Sequence, residues 1–318
     1  MLPPVKLYPA LKDYLWGGTD LRDKFGKGAG TTAPIAESWE LSTHPDGESL
    51  TAPNGPTLSA YLHNQALNVV GTKSPDGTIP ILVKFIDARE ALSVQVHPWD
   101  AYARCVEGDN GKTEMWVVMA HKPGAVLYYG LREALSKEQA RAEIGDGTIL
   151  DALNRVEVAD GDVFFIPAGT IHAIGAGMTI CEIQQRSNVT YRLYDYGRVG
   201  KNGIPRQLHT EKALDVASLE ALIPCRSEEL TLCADPRYTL KALGCCGYFQ
   251  TYRYDMAGEV RLSTSEKTFV CLVALAGSCR LTTEAASLTL QGGDAVFLPA
   301  QKAEHTLKGT GTVLAVSL

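Results

Sequence analysis

Four residues have types and spacings suited to holding a metal ion. In Gln95-Val96-His97-Pro98, Gln95 and His97 lie two apart, so an extended strand puts both on one face, and Pro98 ends it. Lys112 and Glu114 repeat this spacing just before the apolar run Met115 to Met119. His172 closes the run Gly161 to His172, a Gly-x5-Pro-x-Gly-x2-His pattern that delivers an imidazole after a sharp turn at a strand end. Two imidazoles, a carboxylate and an amide oxygen suit a borderline or moderately hard divalent ion, most simply Zn²⁺. The same residues also fit two unrelated, partly buried histidines.

A dense polar run follows, Glu182 to Arg192. Glu182, Gln184, Arg186, Asn188, Thr190 and Arg192 are all even-numbered and would line one face of a single strand, either solvated or forming the wall of a cleft. Tyr191, Tyr194 and Tyr196 at its end favour the cleft.

The elements that must position these groups read as strands. Short apolar runs such as Ile81 to Ile86, Leu92 to Val96, Met115 to Met119, Val163 to Ile166 and Thr268 to Val273 alternate with Gly, Pro, Asp and Asn. Helical signals are few: Ser136-Lys137-Glu138-Gln139 resembles a capping box, and Thr57 to Gln65, Thr148 to Asn154 and Glu211 to Ala221 are further candidates. Gly161 to Ala168 recurs 132 residues later as Gly293 to Ala300, in each case after another strand and turn. Two related β-barrels account for the repeat, with a boundary near residues 205 to 225. The expected fold is mostly β, with a few short peripheral helices. His305 follows the second copy, but no Gln-x-His pair precedes it, so the second barrel is expected to carry no metal.

Composition narrows the functional classes. The 318 residues are 45% hydrophobic, with 30 Lys+Arg against 36 Asp+Glu, a formal charge of −6. The acidic balance and the absence of a Lys/Arg cluster argue against nucleic acid. No apolar run is long enough for a membrane span and none follows Met1 to Leu7, so a cytoplasmic protein is expected. The eight cysteines show no paired Cys-x-x-Cys spacing and read as reduced thiols, mostly buried.

Taken together, Trp16-Gly17-Gly18, Ala36-Glu37-Ser38-Trp39, Leu92 to Pro98, Lys112 to Trp116, Pro167 to His172 and Glu182 to Arg192 resemble the type I phosphomannose isomerases, zinc-dependent cupin enzymes that interconvert mannose 6-phosphate and fructose 6-phosphate. The resemblance spans most of residues 8 to 200 and is to the compact bacterial form, with only Arg132 to Asn154 as a helical insertion. It implies a double cupin: a catalytic domain over residues 1–210 and a degenerate second cupin over 211–318. It further implies one Zn²⁺ per chain on Gln95, His97, Glu114 and His172. Glu182, Lys112 and Arg192 would be catalytic, and Trp16, Glu37, Lys84, Ser93 and Asn188 would line the substrate pocket. The substrate would be a phosphorylated hexose and the protein a monomer or weak homodimer. One departure is Asn188, where compact relatives commonly have Asp after the serine.

Aldose–ketose isomerisation needs a base that takes a proton next to a carbonyl and returns it to the neighbouring carbon of a cis-enediol. Glu182 is the first choice, because a carboxylate committed to a metal, such as Glu114, is a poor base. Lys112 would assist proton movement between oxygens or ring opening, and Arg192 would neutralise enediolate or phosphate charge, with Lys84 as a second cation. The competing readings are an iron-dependent cupin oxygenase and a non-catalytic sugar-binding double cupin.

Overall fold

The computed structural model describes residues 1–200 and 203–318. Among these residues the strands form three antiparallel sheets. One has six strands, in the order Ala10–Lys12, Glu37–Leu41, Ile81–Ala88, Met178–Gln185, Glu114–His121 and Val163–Ile166. A second has five: Tyr191–Tyr194, Val94–Val96, His172–Ile174, Val126–Leu131 and Leu153–Glu157. The third has eight and is built from residues 230–317, completed by Val5–Leu7, which pairs with Ala295–Leu298. The fold is mostly β.

The six-stranded sheet is buried on both faces, which is why its strands read as continuous apolar runs rather than as alternation. Ile81, Val83, Phe85, Met115, Val117, Cys181 and Ile183 face the third sheet and pack with Phe269, Cys271, Val273 and Phe297. Their neighbours Ile86, Trp116, Val118 and Ile180 point the other way, into the first barrel. Lys84, Glu114 and Glu182 share that inward parity. Charges at core positions are costly unless paired or ligating, so this face is where the fold departs from simple packing.

The repeated octapeptide forms equivalent turn-and-strand units. Gly161 and Gly293 open them at φ +89° and +97°, a region that disfavours residues with a Cβ. The strands that follow are Val163–Ile166 and Ala295–Leu298. The Ser136 capping box is present at the start of Lys137–Asp146, and Thr57 caps Leu58–His63. Of Thr148 to Asn154, only Ile149–Ala152 is helical, as a single 3₁₀ turn. The helix Thr210–Val216 buries Ala213, Leu214 and Val216 in the apolar cluster beneath the five-stranded sheet. Helices at Asp20–Phe25 and Asp100–Val106 were not foreseen; both are short, and neither has a side-chain cap bond. The cysteines are all free, as expected, but only Cys181, Cys271 and Cys279 are buried, whereas Cys105, Cys225 and Cys245 are exposed. No helix among the described residues is long and apolar enough to cross a membrane.

One buried ion pair ties the two halves together. Lys27 lies 2.7 Å from Glu40 on the outer face of the six-stranded sheet and donates to the carbonyl of Gly293 at 2.6 Å. Lys27→Met is expected to destabilise the chain by about 3–5 kcal/mol, because it strands a fully buried carboxylate. Urea unfolding would check this; a change below about 1 kcal/mol would contradict it.

Candidate metal centre and substrate pocket

Strand register assembles the site. Across the five-stranded sheet His172 pairs with Gln95, and Gln95 with Arg192. Across the six-stranded sheet Glu182 sits between Lys84 and Trp116, and Trp39 pairs with Lys84. The two sheets face one another, so residues far apart in sequence meet in one cavity.

His97, Glu114 and His172 are buried, with ligating atoms all within 4.8 Å of one another. Nδ1 of His97 donates to the carbonyl of Val189, and Nδ1 of His172 to that of Thr170, each at 2.8 Å. A carbonyl only accepts, so these bonds fix the tautomer and leave each Nε2 with its lone pair turned toward Glu114. Nε2 of His172 lies 3.2 Å from Glu114 Oε1, and Nε2 of His97 lies 3.5 Å from Oε2. Burial and then Lys112 hold His97 well below the ordinary imidazole range, so it is neutral. Both Glu114 oxygens are buried; Oε2 is paired with the Lys112 ammonium at 2.7 Å, and Oε1 faces His172 Nε2. Burial favours the neutral acid there, yet the Lys112 ammonium outweighs it and keeps Glu114 ionised, far below the usual range. Lys112 Nζ meets one side of the cluster, 3.2 Å from His97 Nε2 and 2.7 Å from Glu114 Oε2; on the other side His172 Nε2 and Glu114 Oε1 meet as two acceptors, and the set of two imidazoles and a carboxylate fits a divalent metal. The Gln95 side chain adjoins His172 Nε2 at 3.3 Å, within reach as a fourth ligand once its amide oxygen faces inward. The amide of Gly169, in the turn that delivers His172, donates to the carbonyl of His97 and locks the two ligand segments together.

Beside this centre lies a polar cavity. Trp16, Glu37, Lys84, Ser93, Lys112, Glu182, Asn188 and Arg192 all line it, together with Gln95. Lys112 Nζ is 2.7 Å from Glu114 and 3.5 Å from Glu182. Lys84 Nζ is 3.1 Å from Glu182 and 3.5 Å from Glu37. Burial opposes the Lys84 charge, but Glu182 and Glu37 overcome it and hold the ammonium above its ordinary range. Indole Nε1 of Trp116 donates to Glu182 at 2.9 Å, and that of Trp39 to Glu37 at 2.7 Å. Both carboxylates are therefore fixed in orientation.

The run from Glu182 to Arg192 is not one strand. The chain leaves the six-stranded sheet after Gln185 and enters the five-stranded sheet at Tyr191. Gln184 holds the bend by donating to the carbonyls of Gln185 and Ser187, while Glu182, Asn188, Thr190 and Arg192 still reach the cavity. The three tyrosines do not line it. Tyr191 and Tyr194 pack in the apolar cluster beneath, and Arg198 stacks on Tyr196. Tyr14 and Arg206 also line the cavity and had not been singled out. Tyr14 sits two residues before Trp16 in a turn closed by the Gly17 amide on the Tyr14 carbonyl, outside any strand periodicity; Arg206 lies in a turn-rich stretch with no motif around it. In the second half, His305 is buried with Nε2 3.0 Å from Thr264 Oγ1.

The fold and this site define a mostly β, cupin-containing protein with a buried His-Glu-His cluster suited to a metal. Residues 5–128 match the family described as phosphomannose isomerase type I, catalytic domain, and residues 239–318 match the mannose-6-phosphate isomerase cupin domain. Mannose-6-phosphate isomerase of Streptococcus mutans is 35% identical over 304 residues, covering 94% of this chain and 93% of its own. Mannose-6-phosphate isomerase ManA of Bacillus subtilis is 34% identical over 313 residues, covering 96% of each chain. The crystal structure of the Bacillus subtilis mannose 6-phosphate isomerase superposes over 100% of both chains with a TM-score of 0.90 at 34% identity. The chain belongs to the type I phosphomannose isomerase family.

Proposed function

We propose that this chain interconverts mannose 6-phosphate and fructose 6-phosphate, with one Zn²⁺ per chain held by Gln95, His97, Glu114 and His172. The observation that carries the metal is the convergence of two imidazole Nε2 atoms on one buried carboxylate, with the three ligating atoms within 4.8 Å of one another. When bound, the cation would supply positive charge near the sugar oxygens at which negative charge develops.

The chain's own residues divide the rest of the chemistry. Glu182 takes the proton from the carbon beside the carbonyl and returns it to the neighbouring carbon, while a second proton passes between the two oxygens. The Trp116 and Lys84 contacts fix its carboxylate without committing it to the metal. Lys112 reaches both Glu114 and Glu182 and moves a proton between the two sugar oxygens or opens the ring. Arg192 neutralises enediolate or phosphate charge. Trp16, Glu37, Ser93 and Asn188 shape the pocket around the open-chain sugar. A phosphorylated sugar does not cross membranes unaided, which supports a cytoplasmic site of action.

The test is a panel of phosphorylated and free hexoses offered to the zinc-loaded protein. Mannose 6-phosphate should be converted to fructose 6-phosphate. Oxygen uptake with iron and no sugar turnover would overturn the reading, as would sugar affinity without turnover.

The Asn188 departure has a structural counterpart. Asn188 Nδ2 donates to Asp46 at 2.8 Å, so a carboxylate is present at this rim from another segment. Asn188→Asp would set two carboxylates against each other, and kcat/KM for mannose 6-phosphate is expected to fall by about two- to ten-fold. Steady-state kinetics at pH 7 would check this, and a rise in kcat/KM would contradict it.

A further inference from the structure

The pocket's cations are distributed unevenly. Lys84 and Lys112 each face two carboxylates within 3.5 Å and have no charge left over for a second anion. The wall carrying Arg192 and Arg206 is different. Among the described residues the Arg192 guanidinium makes no ion pair, and its Nε is buried with no hydrogen-bond partner. Arg206 donates to Asp195 through Nε at 2.7 Å and also through Nη2. Asp195 is buried and also accepts from Arg198, which is anchored in turn to the carbonyl of Ala91 at 2.7 Å. Two guanidiniums thus share one carboxylate and a third, that of Arg192, stands unpaired beside them, so three positive charges face one negative charge. Burial and the nearby Arg206 both press against the Arg192 charge. Such an arrangement attracts an anion.

We propose that Arg206, braced by Asp195 and Arg198, binds the substrate's phosphate together with Arg192, so that this wall selects hexose phosphates over free hexoses. A phosphate monoester carries about −1.5 to −2 charges at pH 7 and three acceptor oxygens, which matches the excess. The arginine fork suits two of those oxygens, whereas a lysine would offer a point charge. The sugar part of this inference rests on the isomerase reading; the phosphate part does not.

The test uses inorganic phosphate as the probe, titrated calorimetrically into the full metal-loaded chain, alongside steady-state kinetics with mannose 6-phosphate. Arg206→Ala is expected to weaken phosphate binding by about 10- to 100-fold and to raise KM similarly, with a much smaller change in kcat. Arg206→Lys keeps a charge against Asp195 and loses only the fork, so it should fall between; if the alanine variant does not fold, the lysine variant decides. Phosphate affinity and KM unchanged within two-fold would overturn the proposal. A chain that binds phosphate through Arg206 but converts no hexose phosphate would retain this inference and sink the isomerase reading. Conversion with phosphate affinity indifferent to Arg206 would do the reverse.

Discussion

Replacing His97 by alanine is expected to remove metal and turnover together. His97 presents a neutral Nε2 toward Glu114 because Val189 takes its Nδ1 proton, and no neighbouring side chain can replace that lone pair. Loss of a group that merely orients a ligand costs about 10- to 100-fold in metal affinity, so loss of the ligand itself should cost at least about 100-fold. The remaining pair, Glu114 and His172, would keep Lys112 as partner and the chain should stay folded. Metal content by mass spectrometry after dialysis, followed by the isomerase assay, checks both effects; a variant that retains one metal per chain would contradict the ligand assignment.

Glu182→Gln has the second large expected effect, and it separates chemistry from metal binding. The amide keeps the shape of the carboxylate and can still accept from Trp116, but it cannot take a proton. Lys84 retains Glu37 as a counter-charge, so the variant should fold. The expected result is a fall in kcat of about 10²- to 10⁴-fold with metal content near one per chain. An unchanged kcat would reject Glu182 as the base. A loss of metal would show instead that Glu182 supports the metal centre.

How much of this was legible in the sequence depended on the range of the signal. Gln95 with His97, Lys112 with Glu114, and the turn delivering His172 were readable because two-residue periodicity and a glycine-proline turn are local. The same held for the Ser136 capping box and the repeated Gly-Asp turn. The pairing of Glu182 with Lys84 is a register, fixed by which strands become neighbours, and a single chain does not display it. Reading Glu182 to Arg192 as one strand failed for a related reason. The bend at residues 186–190 is held by Gln184 side-chain bonds to backbone, and these leave no mark in the hydropathy pattern. The tyrosines misled because an aromatic beside polar residues suits a core as well as a pocket wall. Arg206 was invisible because its partners, Asp195 and Arg198, converge through a loop rather than a repeating element.

The most direct test strips the protein with a chelator and returns Zn²⁺ in fractions of an equivalent while mannose 6-phosphate conversion is followed. The buried acceptor cluster predicts activity that is lost on stripping and rises in proportion to added zinc, with a break at one ion per chain. Full conversion by protein shown to hold no metal would contradict it.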